Sequence, residues 1–428
     1  MMGPVSYKVS ELQALGRDNI PSELKGNEGL VYSSPATLAY NSPGAEGFGV
    51  KRAGLSVPES VMLIVAPGCC GRNTRYVTKN PEYNGRFFYL MMDETDLVTS
   101  RHLKLIPEAV KEIVEFCEVK PKVVMICMTC VDALLGTDMK RVASKCEALL
   151  DGVRVAPCYM YALTREGRRP PMVDVRQQIY SLLAPSVRKG NAINLTGFFA
   201  PVDPDCEIFD LLKGAGFADI RQIGTCSTYE EFLKMSQANL NLVLNSECRP
   251  AADDMYNRLK IPYAELTRVY GIDSIAAQYK ALSNILGVEL EDKVFLEEAR
   301  SRVSSFSAKY RGKTVNIGEC INANPFELAL SITRYGLNVG EIYATLSPEH
   351  FVYVRKLAEL SPDTRIYCNL DPSMVNYSMS SVTPDLTLGK DALYYCPQVP
   401  NISWNSDVQP YGYKGLISLL DSMEEVMS

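Results

Sequence analysis

Two short cysteine segments carry the clearest chemical signal in this sequence. The first is Gly68-Cys69-Cys70-Gly71, and the second, about sixty residues later, is Cys127-Met128-Thr129-Cys130. Each follows an apolar run with strand character, Val61 to Val65 and Val123 to Ile126. Residues that follow the strands of an open α/β sheet build its ligand sites, so we expect both thiol pairs at one crevice.

Packing is the alternative interpretation of every thiol, because free cysteine is among the most buried residue types. Cys69, Cys70 and Cys130 lie on or near glycine-flanked turns, where packing gives little reason for a thiol. Cys127 lies at a strand end, where the core alternative is at least as good as metal ligation. Structural burial is expected for the cysteines that stand alone, which are Cys117, Cys146, Cys206, Cys226, Cys320 and Cys368.

The redox compartment decides how clustered cysteines are interpreted. The first 25 residues lack an apolar signal segment, and no stretch approaches the length of a membrane span. These features predict a cytoplasmic protein without a membrane partner. In a reducing compartment clustered cysteines indicate metal binding or catalysis rather than disulfides, and the odd total of 13 agrees.

The scarcity of histidine narrows the choice of metal. His102 and His350 are the two histidines, and neither is near a cysteine pair in sequence. A mixed Cys/His zinc site therefore has little to draw on, and all-thiolate ligation of zinc or an iron–sulfur cluster remains. The adjacent pair Cys69 and Cys70 does not reproduce the spacing of zinc ribbons, so spacing favours an iron–sulfur cluster.

Charge and motifs exclude several other ligands. The chain has 44 Lys plus Arg against 50 Asp plus Glu, a net charge of −6, without a long basic run. Nucleic-acid binding is therefore disfavoured. Neither G-x-G-x-x-G nor a Walker A sequence occurs, so we expect no NAD and no directly bound ATP.

Strands alternate with helices along nearly the whole chain, which predicts the α/β class with parallel sheets. At 428 residues the chain is long enough for roughly three domains. We expect three Rossmann-like domains, residues 1–190 with the cluster cysteines, 191–307 and 308–428. Residues 274–307 read as one long helical connector, and a helix is predicted from Pro107 to Cys117.

Four segments together resemble nitrogenase component 1 and its relatives, more the dark-operative protochlorophyllide reductase and nickel-sirohydrochlorin a,c-diamide reductive cyclase branch than true nitrogenase. One is the turn Pro67 to Gly71 followed by Thr74. The others are the acidic turn Met92 to Val98, Cys130 with Gly136 and Asp138, and a C-terminal segment with Ser403-Trp404 and Pro410 to Leu416.

The resemblance implies an iron–sulfur cluster at a subunit interface and an ATP-hydrolysing iron protein that delivers electrons. Members of the family usually carry a further cluster cysteine upstream, but residues 29–57 contain none. Cys130 plus Cys70 or Cys69 from each subunit would supply four thiolates, which suits one [4Fe–4S] cluster in a homodimer. The alternatives are a larger cluster and a heterodimer with a related subunit.

The adjacent cysteines differ in how they match the family. Cys69 keeps the Gly-Cys pair, whereas Cys70 keeps the spacing to Thr74 and precedes Gly71. Neighbouring residues on an extended turn point to opposite sides, so a single ligand is expected, and Cys70 is favoured.

A second departure concerns the active-site cluster of true nitrogenases. Cys248 falls near the position of one family ligand and is a weaker metal candidate, but Pro410 to Tyr413 lacks the histidine of the other. The resemblance therefore implies a small organic substrate, such as a tetrapyrrole, in an interdomain cleft. Candidate proton donors are Asp132, Glu247, Cys248 and Tyr411.

Three functions follow from these features. The first is the catalytic component of a two-component, ATP-dependent reductase. The alternative is a scaffold or maturation protein that holds a metallocluster or tetrapyrrole precursor without turnover, and fold alone does not separate the two. The third is a metal-free α/β solute-binding protein with structural cysteines.

Overall fold

The computed structural model describes residues 3–26, 36, 49–68, 81–129, 136–160, 169–379 and 383–428. The strands of these residues form three sheets. In chain order they are β1 (Tyr7–Lys8), β2 (Ser60–Ala66), β3 (Phe87–Met91), β4 (Val123–Thr129), β5 (Arg154–Met160), β6 (Ala192–Thr196), β7 (Asp219–Arg221), β8 (Leu240–Val243), β9 (Tyr263–Glu265), β10 (Thr314–Gly318), β11 (Asn338–Tyr343), β12 (Arg365–Tyr367), β13 (Leu386–Leu388) and β14 (Asn401–Ile402).

Helices connect these strands. In chain order they are α1 (Val9–Leu15), α2 (Ser22–Lys25), α3 (Val50–Gly54), α4 (Glu94–Val98), α5 (His102–Phe116), α6 (Met139–Ala148), α7 (Pro171–Ser181), α8 (Ile208–Gly214), α9 (Tyr229–Leu233), α10 (Arg249–Leu259), α11 (Ile272–Leu286), α12 (Lys293–Tyr310), α13 (Pro325–Arg334), α14 (Phe351–Leu360), α15 (Lys390–Tyr395) and α16 (Gly412–Met427).

The first sheet has the strand order β3-β2-β4-β5, and all its pairs are parallel. Every residue of β2 and β4 is buried. Alternate residues of β2 enter two different apolar cores, Met62 and Ile64 on one face and Leu63 and Val65 on the other. A parallel sheet covered on both faces explains why these strands read as continuous apolar runs.

The second sheet has the order β7-β6-β8-β9, again with parallel pairs. One apolar core joins it to the first sheet, since Met62 and Met125 belong to the same cluster as Val243 and Met255. Contacts group both sheets into one compact unit, residues 42–201 with 218–267.

The third sheet belongs to the other compact unit, which comprises residues 1–41, 202–217 and 268–428. Its strand order is β1-β12-β11-β10-β13-β14. The pairs are parallel except for the short edge strand β1, which is antiparallel to β12. The predicted α/β class with parallel sheets is confirmed, whereas the domain boundaries after residues 190 and 307 stay a prediction.

The three sheets share one topological feature. From β2, β6 and β10 the chain passes first to a strand on one side, β3, β7 or β11, and later to a strand on the other side, β4, β8 or β13. The switch point of each sheet therefore lies between the first of these strands and the strand on the other side, which are β2 and β4, β6 and β8, and β10 and β13. In open α/β sheets the crevice beyond the carboxyl ends of these strands is the usual ligand position.

Short sequence signals set several helix starts. Thr228 accepts a hydrogen bond from the backbone of Glu231 in a capping box at the start of α9. At the start of α13 the Asn324 side chain accepts from two backbone N–H groups, and Pro325 occupies the first turn. Proline suits this position because the first N–H groups of a helix have no partner within the helix.

Two predicted helices differ from the structure. Helix α5 begins at His102, so Pro107 lies inside it rather than at its start. The apolar face that includes Ile106 and Val110 packs into a core and offsets the hydrogen bond that proline cannot make. The predicted connector is two helices, α11 and α12, because Gly287 ends α11 in the left-handed conformation with φ of 68°.

Candidate functional site

The first switch point lies between β2 and β4, the strands that lead into the two cysteine segments. These strands are hydrogen-bonded parallel neighbours, with Val65 opposite Met128 near their carboxyl ends. Cys69, Cys70, Cys130 and Asp132 follow these ends and lie outside the described residues. Both cysteine segments therefore follow strands that end at one sheet edge, the usual ligand position of an open α/β sheet.

The acidic turn of the resemblance follows β3 at the same edge and has a structural role. The Asp93 Oδ1 atom accepts from the Asp96 backbone N–H at 2.8 Å, and Asp96 Oδ2 accepts from the Asp93 N–H at 3.2 Å. This capping box starts α4. The Asp96 carbonyl in turn lies 3.2 Å from Nδ1 of buried His102.

Cys127 lies inside β4 rather than at its end, because the strand continues to Thr129. It is 0% exposed and sits opposite Cys158 of β5, which belongs to the same apolar core. Burial raises the pKa of the Cys158 thiol well above its ordinary value, an environment that disfavours thiolates. This placement of Cys127 favours packing over ligation.

The second switch point lies between β6 and β8 and contains Glu247 and Cys248. Gly197, directly after β6, has φ of 113°, and a Cβ atom there would lie 2.8 Å from the Asn245 nitrogen. The two turns are therefore in close contact, which only glycine permits. The Asn245 side chain accepts from the Glu247 N–H at 3.0 Å and holds the start of the following helical turn.

A buried arginine of α7 reaches this switch point. Arg176 Nε donates to the Gly197 carbonyl at 2.8 Å, and its Nη1 donates to Glu247 Oε2 at 2.6 Å. Its guanidinium carbon lies 4.4 Å from the ring centre of Phe199. Sequence reasoning missed this residue. The available signal was a charged side chain beside Val175 and Ile179, which form the buried face of the helix.

Cys248 is fully buried beside the same arginine. Burial raises the pKa of its thiol to about 11, so the group is protonated at neutral pH. The thiol belongs to the core shared by the first two sheets. The structure therefore brings Glu247 and Cys248 together at one sheet edge, with Glu247 exposed and Cys248 enclosed.

The third switch point lies between β10 and β13 and holds two carboxyl groups. Asp391 accepts from the backbone N–H groups of Glu319 and Cys320, at 2.9 and 3.0 Å. The Asn369 amide donates to both Glu319 Oε1 and Asp391 Oδ2, at 3.0 and 2.9 Å. Burial, together with the nearby Asp391 carboxylate, raises the pKa of Glu319 to about 6.

Tyr411, the remaining candidate, is in the same compact unit as this third switch point. It precedes α16, and its carbonyl accepts from the Cys206 thiol at 3.3 Å. Burial raises the pKa of its hydroxyl well above the ordinary value of 10.0. Its hydroxyl is therefore protonated, but it is enclosed in the protein, with the residue only 3% exposed.

Within the part of the chain that the structure describes, no group of three or more His, Cys, Asp or Glu side chains is arranged to hold a metal ion. None of the described helices combines the length and apolar character needed to cross a membrane.

Two solved structures share this fold. Nitrogenase Cp1 at pH 6.5 aligns with a TM-score of 0.71 and 17% identity over 97% of this chain and 96% of that chain. Nitrogenase Cp1 at pH 5 aligns with a TM-score of 0.64 and 15% identity over 95% and 90%. At these identities the likeness shows the fold alone.

Sequence comparison extends the relationship beyond the fold. The nitrogenase iron-molybdenum cofactor biosynthesis protein NifE of Clostridium pasteurianum is 24% identical over 256 residues, which are 58% of this chain and 54% of that protein. The chain thus matches about half the length of this curated relative. A family model described as nitrogenase component 1 type oxidoreductase matches residues 46–428. Because this match covers most of its length, the chain belongs to the nitrogenase component 1 type oxidoreductase family.

Proposed function

We propose that this chain is the catalytic component of a two-component, ATP-dependent reductase. Proteins of this family bind iron–sulfur clusters and work with an iron-protein partner. The observation that carries the proposal is the adjacency of β2 and β4, whose carboxyl ends lead into both cysteine segments. Cys130 and Cys70, with Cys69 as the alternative, would hold one [4Fe–4S] cluster between two subunits.

When bound, the cluster would take electrons one at a time from the iron protein and pass them to the substrate. The chain itself must bind the substrate and supply protons. Among the described candidates Cys248 and Tyr411 are protonated at neutral pH but enclosed, and Glu247 is exposed but paired with Arg176. Glu319 is a further candidate, because burial raises the pKa of its carboxyl to about 6, close to the pH at which a proton must be both gained and released.

The partners follow from the same proposal. Two cluster thiolates per subunit require a second subunit, either an identical copy or a related chain. The substrate is a small organic molecule, for which a carboxylated tetrapyrrole is the candidate class. We place the protein in the cytoplasm, where a reducing environment keeps its thiols available.

A scaffold role is the second candidate, and one observation favours it. The matching relative NifE is named as a cofactor biosynthesis protein. A scaffold would hold a metallocluster or tetrapyrrole precursor at the same sheet edges without turnover. Turnover, rather than binding, therefore separates the two functions.

The test uses the protein purified without oxygen. Iron and sulfide analysis with EPR should find about four irons per dimer, as expected for one cluster held by four thiolates. The protein is then incubated with a reduced iron protein, ATP and carboxylated tetrapyrroles. ATP-dependent loss of a tetrapyrrole supports the reductase, and stoichiometric binding without loss supports the scaffold. A colourless, iron-free protein would contradict both the reductase and the scaffold. It would instead favour a metal-free solute-binding protein.

A further inference from the structure

Arg176 is held in place by groups that do not depend on its ionic partner. Its Nε donates to the Gly197 carbonyl at 2.8 Å, and Nη1 donates to the Met172 carbonyl at 2.8 Å. The guanidinium also lies 4.4 Å above the Phe199 ring, a cation–π distance. Its plane is therefore fixed at the second switch point even when Glu247 moves away.

The ion pair with Glu247 is unequal. The Arg176 side chain is 5% exposed, whereas the Glu247 side chain is 46% exposed. Contact is through one oxygen, Glu247 Oε2 to Nη1 at 2.6 Å. Carboxylates bind arginine best through two parallel hydrogen bonds. The Glu247 carboxylate thus holds Arg176 through a single oxygen atom rather than in a bidentate pair.

A neighbouring pair shows what a complete contact looks like. Arg249 meets Glu265 through both oxygens, at 2.5 and 2.8 Å. That arginine is 48% exposed, so water competes for it. Arg176 combines the opposite features, a buried guanidinium and a carboxylate bound through a single atom. A buried guanidinium whose exposed carboxylate partner makes contact through one oxygen is well suited to bind another anion.

Two further titratable groups of the described residues interact with Arg176, and both are neutral at neutral pH. Tyr180 of α7 lies close to it, and burial raises the pKa of this hydroxyl well above its ordinary value. Cys248 is also near, and its thiol is protonated at neutral pH. Thr196 interacts with the Cys248 thiol and carries no charge. Among the residues that the structure describes, Glu247 thus supplies the negative charge paired with Arg176, and its removal leaves this position open to another anion.

We propose that Arg176 binds a carboxylate group of the substrate and that Glu247 is a displaceable counter-ion occupying this position in its absence. The position is the crevice beyond the carboxyl ends of β6 and β8, where open α/β sheets bind ligands. The ligand class, a tetrapyrrole with carboxylate side chains, rests on the proposed function. The anion site itself rests on the geometry of Arg176.

The test measures equilibrium binding to the full-length protein, without ATP or an iron protein. Uroporphyrin carries carboxylate side chains, and octaethylporphyrin offers a similar macrocycle without them. Both are titrated by absorbance into wild type, Arg176→Gln, Glu247→Gln and the surface control Arg249→Gln. Circular dichroism and the thermal midpoint report whether each variant is folded.

We expect Arg176→Gln to weaken uroporphyrin binding by about tenfold or more, as loss of a charge-assisted contact implies. Glu247→Gln should tighten it, because the competing carboxylate is gone. Arg249→Gln should leave the affinity for both porphyrins unchanged. The affinity for octaethylporphyrin should be the same in wild type and in all three variants.

Several outcomes would overturn the inference. They are no uroporphyrin binding to wild type, equal binding by wild type and a folded Arg176→Gln, or unchanged or weaker binding by Glu247→Gln. The last variant changes an exposed side chain and keeps the test informative if Arg176→Gln fails to fold. Arginine-dependent binding without ATP-dependent turnover would reject the reductase but keep this inference.

Discussion

The Glu207 Oε1 atom lies 2.6 Å from the backbone nitrogen of Tyr413, although 206 positions separate the two residues. Its Oε2 atom lies 3.1 Å from the Lys414 nitrogen, and the Tyr279 hydroxyl donates to Oε1 at 2.6 Å. A buried carboxylate thus binds the free N–H groups at the start of α16, where the helix dipole favours negative charge. A Cβ atom at Gly412 would lie 2.0 Å from Glu207, so this position requires glycine.

Replacing Glu207 by Gln should destabilise the protein by about 2 kcal/mol, because a neutral amide loses charge-assisted hydrogen bonds to two backbone N–H groups. The thermal unfolding midpoint measures the effect. Glu298→Gln is the matched control, since Glu298 pairs with Lys414 of the same helix at the surface. Exposed pairs contribute little, so this control should stay close to wild type. Equal thermal unfolding midpoints for the two variants would contradict a stabilising capping role of Glu207.

Glu319 predicts a specific dependence of stability on pH. Burial and the Asp391 carboxylate raise its pKa to about 6, above the ordinary 4.5. Between these values the folded protein binds more protons than the unfolded chain, so stability falls as pH rises from 4.5 to 6. The contribution is on the order of 2 kcal/mol. Denaturation of wild type and Glu319→Gln across this range should show a difference that changes with pH.

Asp219 provides a control of opposite sign. Hydrogen bonds from Arg221, against the effect of burial, lower the pKa of Asp219 to about 2. Its stabilising contribution is complete above the ordinary value of 3.8 and is lost only as pH falls toward 2. Asp219→Asn should therefore differ from wild type by a constant amount between pH 4.5 and 6. A Glu319→Gln difference that is also constant would contradict the raised pKa.

Cys127 and Cys130 should respond differently to substitution. Cys127→Ser places a hydroxyl in the apolar core of β4 and should lower the unfolding midpoint while the iron content stays unchanged. Cys130→Ala should remove the iron chromophore and activity together. Iron analysis, EPR and thermal unfolding of both variants distinguish the packing role of Cys127 from the ligand role of Cys130. An intact four-iron spectrum in Cys130→Ala would exclude it as a ligand.

The adjacent cysteines should also give unequal results. We expect Cys70→Ser to lose the cluster and Cys69→Ser to keep it with a modest change in stability, because neighbouring residues of an extended turn point to opposite sides. Iron and sulfide analysis without oxygen makes the comparison. The reverse assignment would identify Cys69 as the ligand. Loss in both variants would mean that both thiols bind metal, in a larger or redox-flexible cluster.

The sequence determined the class of fold and the order of its elements. Apolar runs such as Val61 to Val65 predicted buried parallel strands, and the structure confirms them as β2 and its neighbours. These predictions succeed because burial on both faces imposes an apolar composition on each strand locally. The resemblance to the family, confirmed by the family model, likewise rested on motifs read along the chain.

Tertiary structure decided which distant residues meet. No local pattern links Arg176 to Glu247, Glu319 to Asn369, or Glu207 to Tyr413, because each pair is brought together by elements far apart in the chain. The same holds for Cys127, whose position inside the strand and among core side chains depends on where pairing with β2 and β5 ends. Sequence periodicity reports the environment of one element, whereas ion pairs and shifted pKa values depend on the neighbours that folding supplies.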